Sequence, residues 1–305
     1  MPATMDLQGV AAATPVKTDP AGLAGIGVAP ITPAIGAVVE GLDLRRPLAP
    51  AVVRLLREAW LERGVLFFRN QHLTEAELEA FVAHFGTPIT EPSNRSYGAD
   101  PHAPPVHSGD TGPIKAVAER WHADATWLAE PPMATALRMV QIPPVGGDTC
   151  WANAAVAYDG LIEPMRAMLD RLTAIHWMVP SLEALGVPAQ SDDVVHIHPV
   201  VRVHPETGRK ALYVNEGWTR SVVELPPNQS VHLLALLYDH IKLPAYTMRW
   251  RWQPGDLAFW NNRTVHHYAV PDYEDGRIID RCVLAGDRPY GPMDERARTG
   301  ARTDG

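Results

Sequence analysis

From about residue 130 onward the chain is a succession of short apolar runs, each closed by a turn. Runs at 133–140, 200–204, 211–214, 247–252, 257–260 and 278–284 have the length and the β-branched or aromatic content of strands. Pro143-Pro144-Val145-Gly146-Gly147 and Gln253-Pro254-Gly255-Asp256 are turns of the kind that separate strands. One helical pattern, 228–242, interrupts them, with Leu233, Leu236, Leu237 and Ile241 as its apolar face. Many short strands with few helices predict a mainly β fold, a sandwich or jelly roll with helices packed outside.

The earlier part supplies those helices. Val52, Val53, Leu55, Leu56 and Trp60 recur at helical spacing after Pro50. Thr74 opens a second helix, with Glu77 completing a capping box and Leu78, Phe81 and Val82 on one face. Between them, Val65-Leu66-Phe67-Phe68 suits a buried strand. Residues 1–25, rich in Ala, Pro, Thr and Gly, read as a flexible tail, and 292–305 as a second one. That leaves 26–291 as a single domain.

Composition narrows the function classes. The net charge of −8, with no Lys/Arg stripe, argues against a nucleic-acid-binding surface. Two cysteines, Cys150 and Cys282, cannot build a disulfide framework, and they fit a reducing, cytoplasmic setting. No apolar run reaches the roughly 20 residues that span a bilayer. The expected protein is soluble and homo-oligomeric, and it takes a small molecule as its partner.

Thirteen histidines are the unusual entry in that composition. His122-Ala123-Asp124 places an imidazole and a carboxylate two residues apart, on one side of an extended segment. A third ligand must come from far along the chain, and the His266-His267 doublet offers one. Two imidazoles and a carboxylate on one face of an ion leave the other face open, as in non-haem Fe(II) oxygenases. A bare His-x-Asp is common and carries little alone. Arg277 and Arg281, four residues apart in a strand pattern, strengthen it. An Arg fork beside a metal suits an anionic oxo-acid, and a hairpin after the doublet would bring Arg277 close. The competing reading of both arginines is a surface salt bridge with Asp275 or Asp280. A His/Asp/His group also suits a zinc-binding module.

Several further motifs follow in order. They are Trp121-His122-Ala123-Asp124-Ala125-Thr126-Trp127, Gly146-Gly147-Asp148-Thr149 with Trp151, and His198-Pro199-Val200-Val201-Arg202 continuing to Lys210. Leu212-Tyr213-Val214-Asn215-Glu216-Gly217-Trp218 comes next, then the stretch from Arg249-Trp250-Arg251-Trp252 to Gly286-Asp287. Together they resemble the taurine dioxygenase family of Fe(II)/2-oxoglutarate-dependent oxygenases, which includes alkylsulfatases and phenoxyacetate-herbicide dioxygenases. The resemblance implies a double-stranded β-helix, or jelly roll. It implies Fe(II) on His122, Asp124 and His267, the last chosen over His266 because it directly precedes the Tyr-Ala segment. It implies 2-oxoglutarate on Arg277 and Thr149, with O₂ consumed and succinate and CO₂ released as the substrate is hydroxylated.

Arg281 matches an arginine that faces a sulfonate, so the expected substrate is a small anion: a sulfonate, sulfate ester or carboxylate. Trp218 stands where the family has a phenylalanine lining the substrate pocket, and Trp127 can line it too. Where taurine dioxygenase carries a histidine and a tyrosine after Phe85-Gly86, this chain has Glu91 and Asn94. That change points away from taurine and admits a second expectation, the same chemistry on an amino-acid-like or natural-product intermediate. Trp260-Asn261-Asn262-Arg263 replaces the family's Trp-Asp-Asn-Arg.

Overall fold

The computed structural model describes residues 23, 25–89, 119–178, 195–273 and 277–294. In chain order its strands begin with β1 (Gly27–Pro30), β2 (Ala37–Glu40), β3 (Val65–Phe68), β4 (Pro88–Ile89) and β5 (Ala134–Gln141). They continue as β6 (Thr149–Asn153), β7 (Thr173–Trp177), β8 (Val195–Pro199), β9 (Val201–Val203) and β10 (Lys210–Leu212). The last are β11 (Thr219–Val222), β12 (Thr247–Trp250), β13 (Leu257–Asn261), β14 (Val265–Ala269) and β15 (Ile278–Leu284). The helices are α1 (Pro50–Arg63), α2 (Glu75–Val82), α3 (Ala154–Asp159), α4 (Glu163–Leu169) and α5 (Pro227–Ile241).

A seven-stranded sheet in the order β1-β2-β3-β13-β5-β15-β4 forms one layer. Smaller sheets, β12-β6-β14, β11-β7-β8 and the β9–β10 pair, make up the rest. The run at 65–68 explains why the large sheet sits in the middle. All four of its residues are buried, because alternate side chains leave opposite faces of the strand. Leu66 and Phe68 join Leu55, Leu56, Trp60, Leu78 and Phe81 of α1 and α2, whose predicted apolar faces pack there. Val65 and Phe67 point the other way, into a core shared with Trp151, Met248, Trp250 and Val265 of the β12-β6-β14 sheet. Aromatic contacts fill that interior, with the Phe67 ring 4.0 Å from Trp250 and edge-on to Trp151. The capping box is present: Thr74 accepts from the Glu77 N–H, and Glu77 reaches back to the Thr74 backbone.

Two local expectations are corrected. In α5 the buried apolar positions are Leu234, Leu237 and Ile241, whereas Leu236 is exposed. The helix rotates this way because its neighbours are α3 and β11, against which Leu234 and Leu237 pack in a third core cluster. The segment after the His doublet is not a hairpin either. β14 pairs with β6, while β15 pairs with β5 and β4 in the large sheet. The chain between them changes layers, so Arg277 and Arg281 approach from the facing sheet.

Candidate active site

The site lies between the two layers. His267 on β14 and His122 on the segment after Arg120 form an isolated antiparallel bridge. Each backbone N–H donates to the other's carbonyl, at 3.0 and 2.7 Å. This pair of hydrogen bonds fixes the two imidazoles side by side, with ring centres 4.2 Å apart. Asp124, two residues on, puts Oδ1 3.8 Å from His122 Nε2 and 3.6 Å from His267 Nε2. All three residues are buried, and their ligand atoms lie within 4.8 Å of one another. His266 faces the opposite side of β14 and bonds the Leu212 backbone, so His267 is the one of the pair whose ring faces Asp124.

The charges suit a metal. Burial holds His122 and His267 below the ordinary histidine value, so both rings are neutral with lone pairs to give. His122 Nδ1 lies 2.7 Å from the Arg120 carbonyl, which it bonds as a donor, so its Nε2 carries the lone pair. His267 Nδ1 is buried with no hydrogen-bond partner among the described residues. Burial alone would raise the Asp124 pKa, but Arg281, both imidazoles and Thr135 outweigh it and keep the carboxylate ionised. Two neutral imidazoles and one carboxylate fit a divalent first-row metal.

Beside the cluster, Thr149 Oγ1 at the start of β6 accepts from Trp252 Nε1 at 3.0 Å and from Arg277 Nη2 at 3.3 Å. With both lone pairs engaged, its own hydroxyl proton is left to donate. Arg277 is buried, and the Gly146-Gly147 turn before it packs against Asp272 and Pro143. A Cβ on Gly146, at φ +81°, would meet the Asp272 carbonyl at 2.2 Å, and Gly147 donates to Asp272 Oδ1 at 2.8 Å. Arg277 directly precedes β15, whose pairing with β5 shifts register between Ile278 and Ile279. Arg281 Nη2 donates to Asp124 Oδ1 at 2.7 Å. Asp280 pairs instead with Arg138.

Trp218 and Trp127 pack edge to face with ring centres 4.1 Å apart, and the Trp218 ring stands perpendicular to that of His122 at 6.4 Å. Trp218 Nε1 donates to the Ala123 carbonyl at 3.1 Å, which ties this aromatic wall to the ligand segment. Glu91 and Asn94 lie outside the described residues. Two groups were not legible in sequence. His196 and His198 on β8 bond the Trp127 and Leu128 carbonyls, at 2.8 and 2.9 Å, and hold the chain just past Asp124. Thr135 donates to Asp124 Oδ2 at 2.6 Å; its only signal was a polar residue inside an apolar strand.

A jelly roll that closes on two histidines and a carboxylate, next to a buried Arg–Thr pair, is the architecture of a dioxygenase that consumes a 2-oxo acid. Residues 27–283 match the Taurine catabolism dioxygenase TauD, TfdA family, and the chain belongs to that family. It is an α-ketoglutarate-dependent dioxygenase, an oxidoreductase that uses 2-oxoglutarate and O₂. Among its relatives, the α-ketoglutarate-dependent sulfate ester dioxygenase of Pseudomonas putida is 36% identical, over 89% of this chain and 93% of the relative. An alkylsulfatase of Acinetobacter baylyi is 35% identical, over 88% of each. The crystal structure of a taurine dioxygenase from Burkholderia xenovorans superposes with a TM-score of 0.75 at 38% identity, covering 88% of this chain and 92% of that one.

Proposed function

We propose that His122, Asp124 and His267 hold Fe(II), that Arg277 and Thr149 take the distal carboxylate of 2-oxoglutarate, and that Arg281 anchors an organic sulfonate or sulfate ester for hydroxylation. The observation that carries this reading is the pair of arginines, one on Thr149 and one on Asp124, that flank the buried cluster. The relatives support the substrate class: one is named for sulfate esters, another is an alkylsulfatase and a third is a taurine dioxygenase.

Fe(II), when bound, would couple the oxidative decarboxylation of 2-oxoglutarate to insertion of oxygen into a C–H bond. The residues of this chain do the rest. The Arg277 fork and the Thr149 proton match a carboxylate in charge and in donor geometry. Arg281 matches a sulfur oxyanion in the same way, and the Trp218–Trp127 wall supplies apolar surface for the carbon chain while excluding water. Hydroxylation of a carbon that bears sulfate or sulfonate gives an adduct that collapses to a carbonyl and releases the sulfur oxyanion. Cys150 and Cys282, which form no disulfide, support a cytoplasmic setting, and no helix among the described residues is long and apolar enough to cross a membrane. A homo-oligomer is part of this reading, and light scattering would check it.

The test is succinate release across sulfonates, sulfate esters, aryloxyacids and amino acids, with anaerobic Fe(II) and 2-oxoglutarate giving a weak visible charge-transfer band. Substrate-dependent succinate with sulfonates or sulfate esters is expected. Turnover confined to amino acids would overturn the substrate class, and the lack of both band and succinate would overturn the Fe(II) site.

A further inference from the structure

Asp124 is held from behind by a chain of side chains that begins at an obligate donor. Trp260 Nε1 donates to Asn262 Oδ1 at 2.9 Å. An indole N–H can only donate, so the amide must present its oxygen to Trp260 and its NH₂ to the other side. On that side Asn262 Nδ2 meets Thr135 Oγ1 at 2.9 Å, which makes the threonine oxygen an acceptor there. The threonine proton is then left for Asp124 Oδ2, 2.6 Å away. Trp260 and Thr135 are register partners on β13 and β5, and all three supporting residues are buried, so no water competes for these bonds.

We infer that Thr135 is a positioning residue for the metal-binding carboxylate, its proton aimed by the Trp260–Asn262 relay. It occupies Oδ2 and leaves Oδ1, the oxygen nearest both imidazoles, as the ligand atom. The polarity of the relay matters as much as its presence. With the amide reversed, its oxygen would compete with Asp124 for the threonine proton; the Trp260 N–H removes that state. This inference rests on the reading of His122, Asp124 and His267 as the metal site.

Co(II) titration of the full chain without substrate tests it, read by calorimetry and by the visible d–d spectrum. Thr135→Val keeps the shape and removes the proton; its Co(II) Kd is expected to rise about 10-fold or more, in the range typical of lost outer-shell partners, with an altered spectrum. Thr135→Ser, which keeps the hydroxyl, is expected to restore both. Trp260→Phe keeps an aromatic ring and frees the amide to flip, so a rise of several-fold is expected there with Thr135 intact. This variant carries the test if Thr135→Val fails to fold. A Kd within twofold of the parent for Thr135→Val or Trp260→Phe, with an unchanged spectrum, overturns the relay. Undiminished Co(II) binding in Asp124→Ala overturns the metal site itself, a separate result.

Discussion

Arg281 and Asp124 share one contact, Nη2 to Oδ1 at 2.7 Å, on the carboxylate oxygen that also faces both metal-site imidazoles. The guanidinium thus stands where it balances the buried carboxylate and borders the space over the cluster. A sulfur oxyanion entering that space would meet a half-buried cation held in place by Asp124. Arg281→Ala is expected to raise the KM for an anionic substrate about 10- to 100-fold, the loss of a charge-assisted bond of about 1.5–3 kcal/mol. Co(II) affinity should not weaken, because the removed group competes for Asp124. An unchanged KM would show that the anion is anchored elsewhere.

Gly217 presses on the ligand segment from the other side. A Cβ there would lie 2.9 Å from His122 Cβ and 3.3 Å from Asn215 Oδ1. His122 cannot retreat, because its backbone is bonded twice to His267. Gly217→Ala is therefore expected to weaken Co(II) binding severalfold and to destabilise the fold by about 1–3 kcal/mol. Calorimetric metal titration and thermal unfolding would check both; a variant equal to the parent in each would show that the segment can shift.

Two buried histidines away from the metal site set an acid limit. Burial holds His198 down at about 4 and His204 at about 3. The unfolded chain takes up protons at these positions below about pH 6.5, and the folded chain does not. Their contribution is full above that pH and is lost as pH falls toward the folded values. Between pH 7.5 and 5.5 each costs about 1.4 kcal/mol of stability. The Tm should drop over that interval, and His198→Gln, which keeps an N–H for the Leu128 carbonyl, should show a shallower drop. Equal slopes for the variant and the parent would remove His198 as a cause.

His204 also exposes a mismatch at Asn261. Its Nδ1 accepts from the Glu206 and Thr207 N–H groups, at 3.1 and 3.3 Å, so the neutral ring carries its proton on Nε2. That nitrogen faces Asn261 Nδ2 at 3.0 Å, while Asn261 Oδ1 already accepts from the Arg263 N–H. The single amide oxygen cannot face both donors, so an N–H of His204 meets the amide NH₂. Asn261→Asp supplies two oxygens beside Arg263 and is expected to stabilise the fold by about 1 kcal/mol, read as a rise in Tm. A fall in Tm would mean that desolvating the new carboxylate outweighs the second bond.

Much of the site was legible locally. The His122–Asp124 spacing placed an imidazole and a carboxylate on one side of an extended segment, and Pro143-Pro144-Val145-Gly146-Gly147 marked the turn before Thr149. Such features survive in sequence because they depend on neighbours one to four residues away. Residue spacing alone left His266 and His267 undecided, and only the resemblance favoured the second. The structure turns His267 toward Asp124 and His266 to the other face of β14. Residue spacing also could not show that β14 and β15 belong to different layers.

Sequence by itself determined the strand-rich class, the helices of the N-terminal part and the residue types able to hold a metal and an anion. The fold decided which of them meet. Thr135 on β5, Asn262 after β13 and Asp124 are far apart along the chain, and their hydrogen bonds exist only once the layers close. The physical reason is that side-chain direction follows local backbone period, whereas contact across the core follows sheet pairing. Pairing is set by the summed burial of all the strands, not by any one segment.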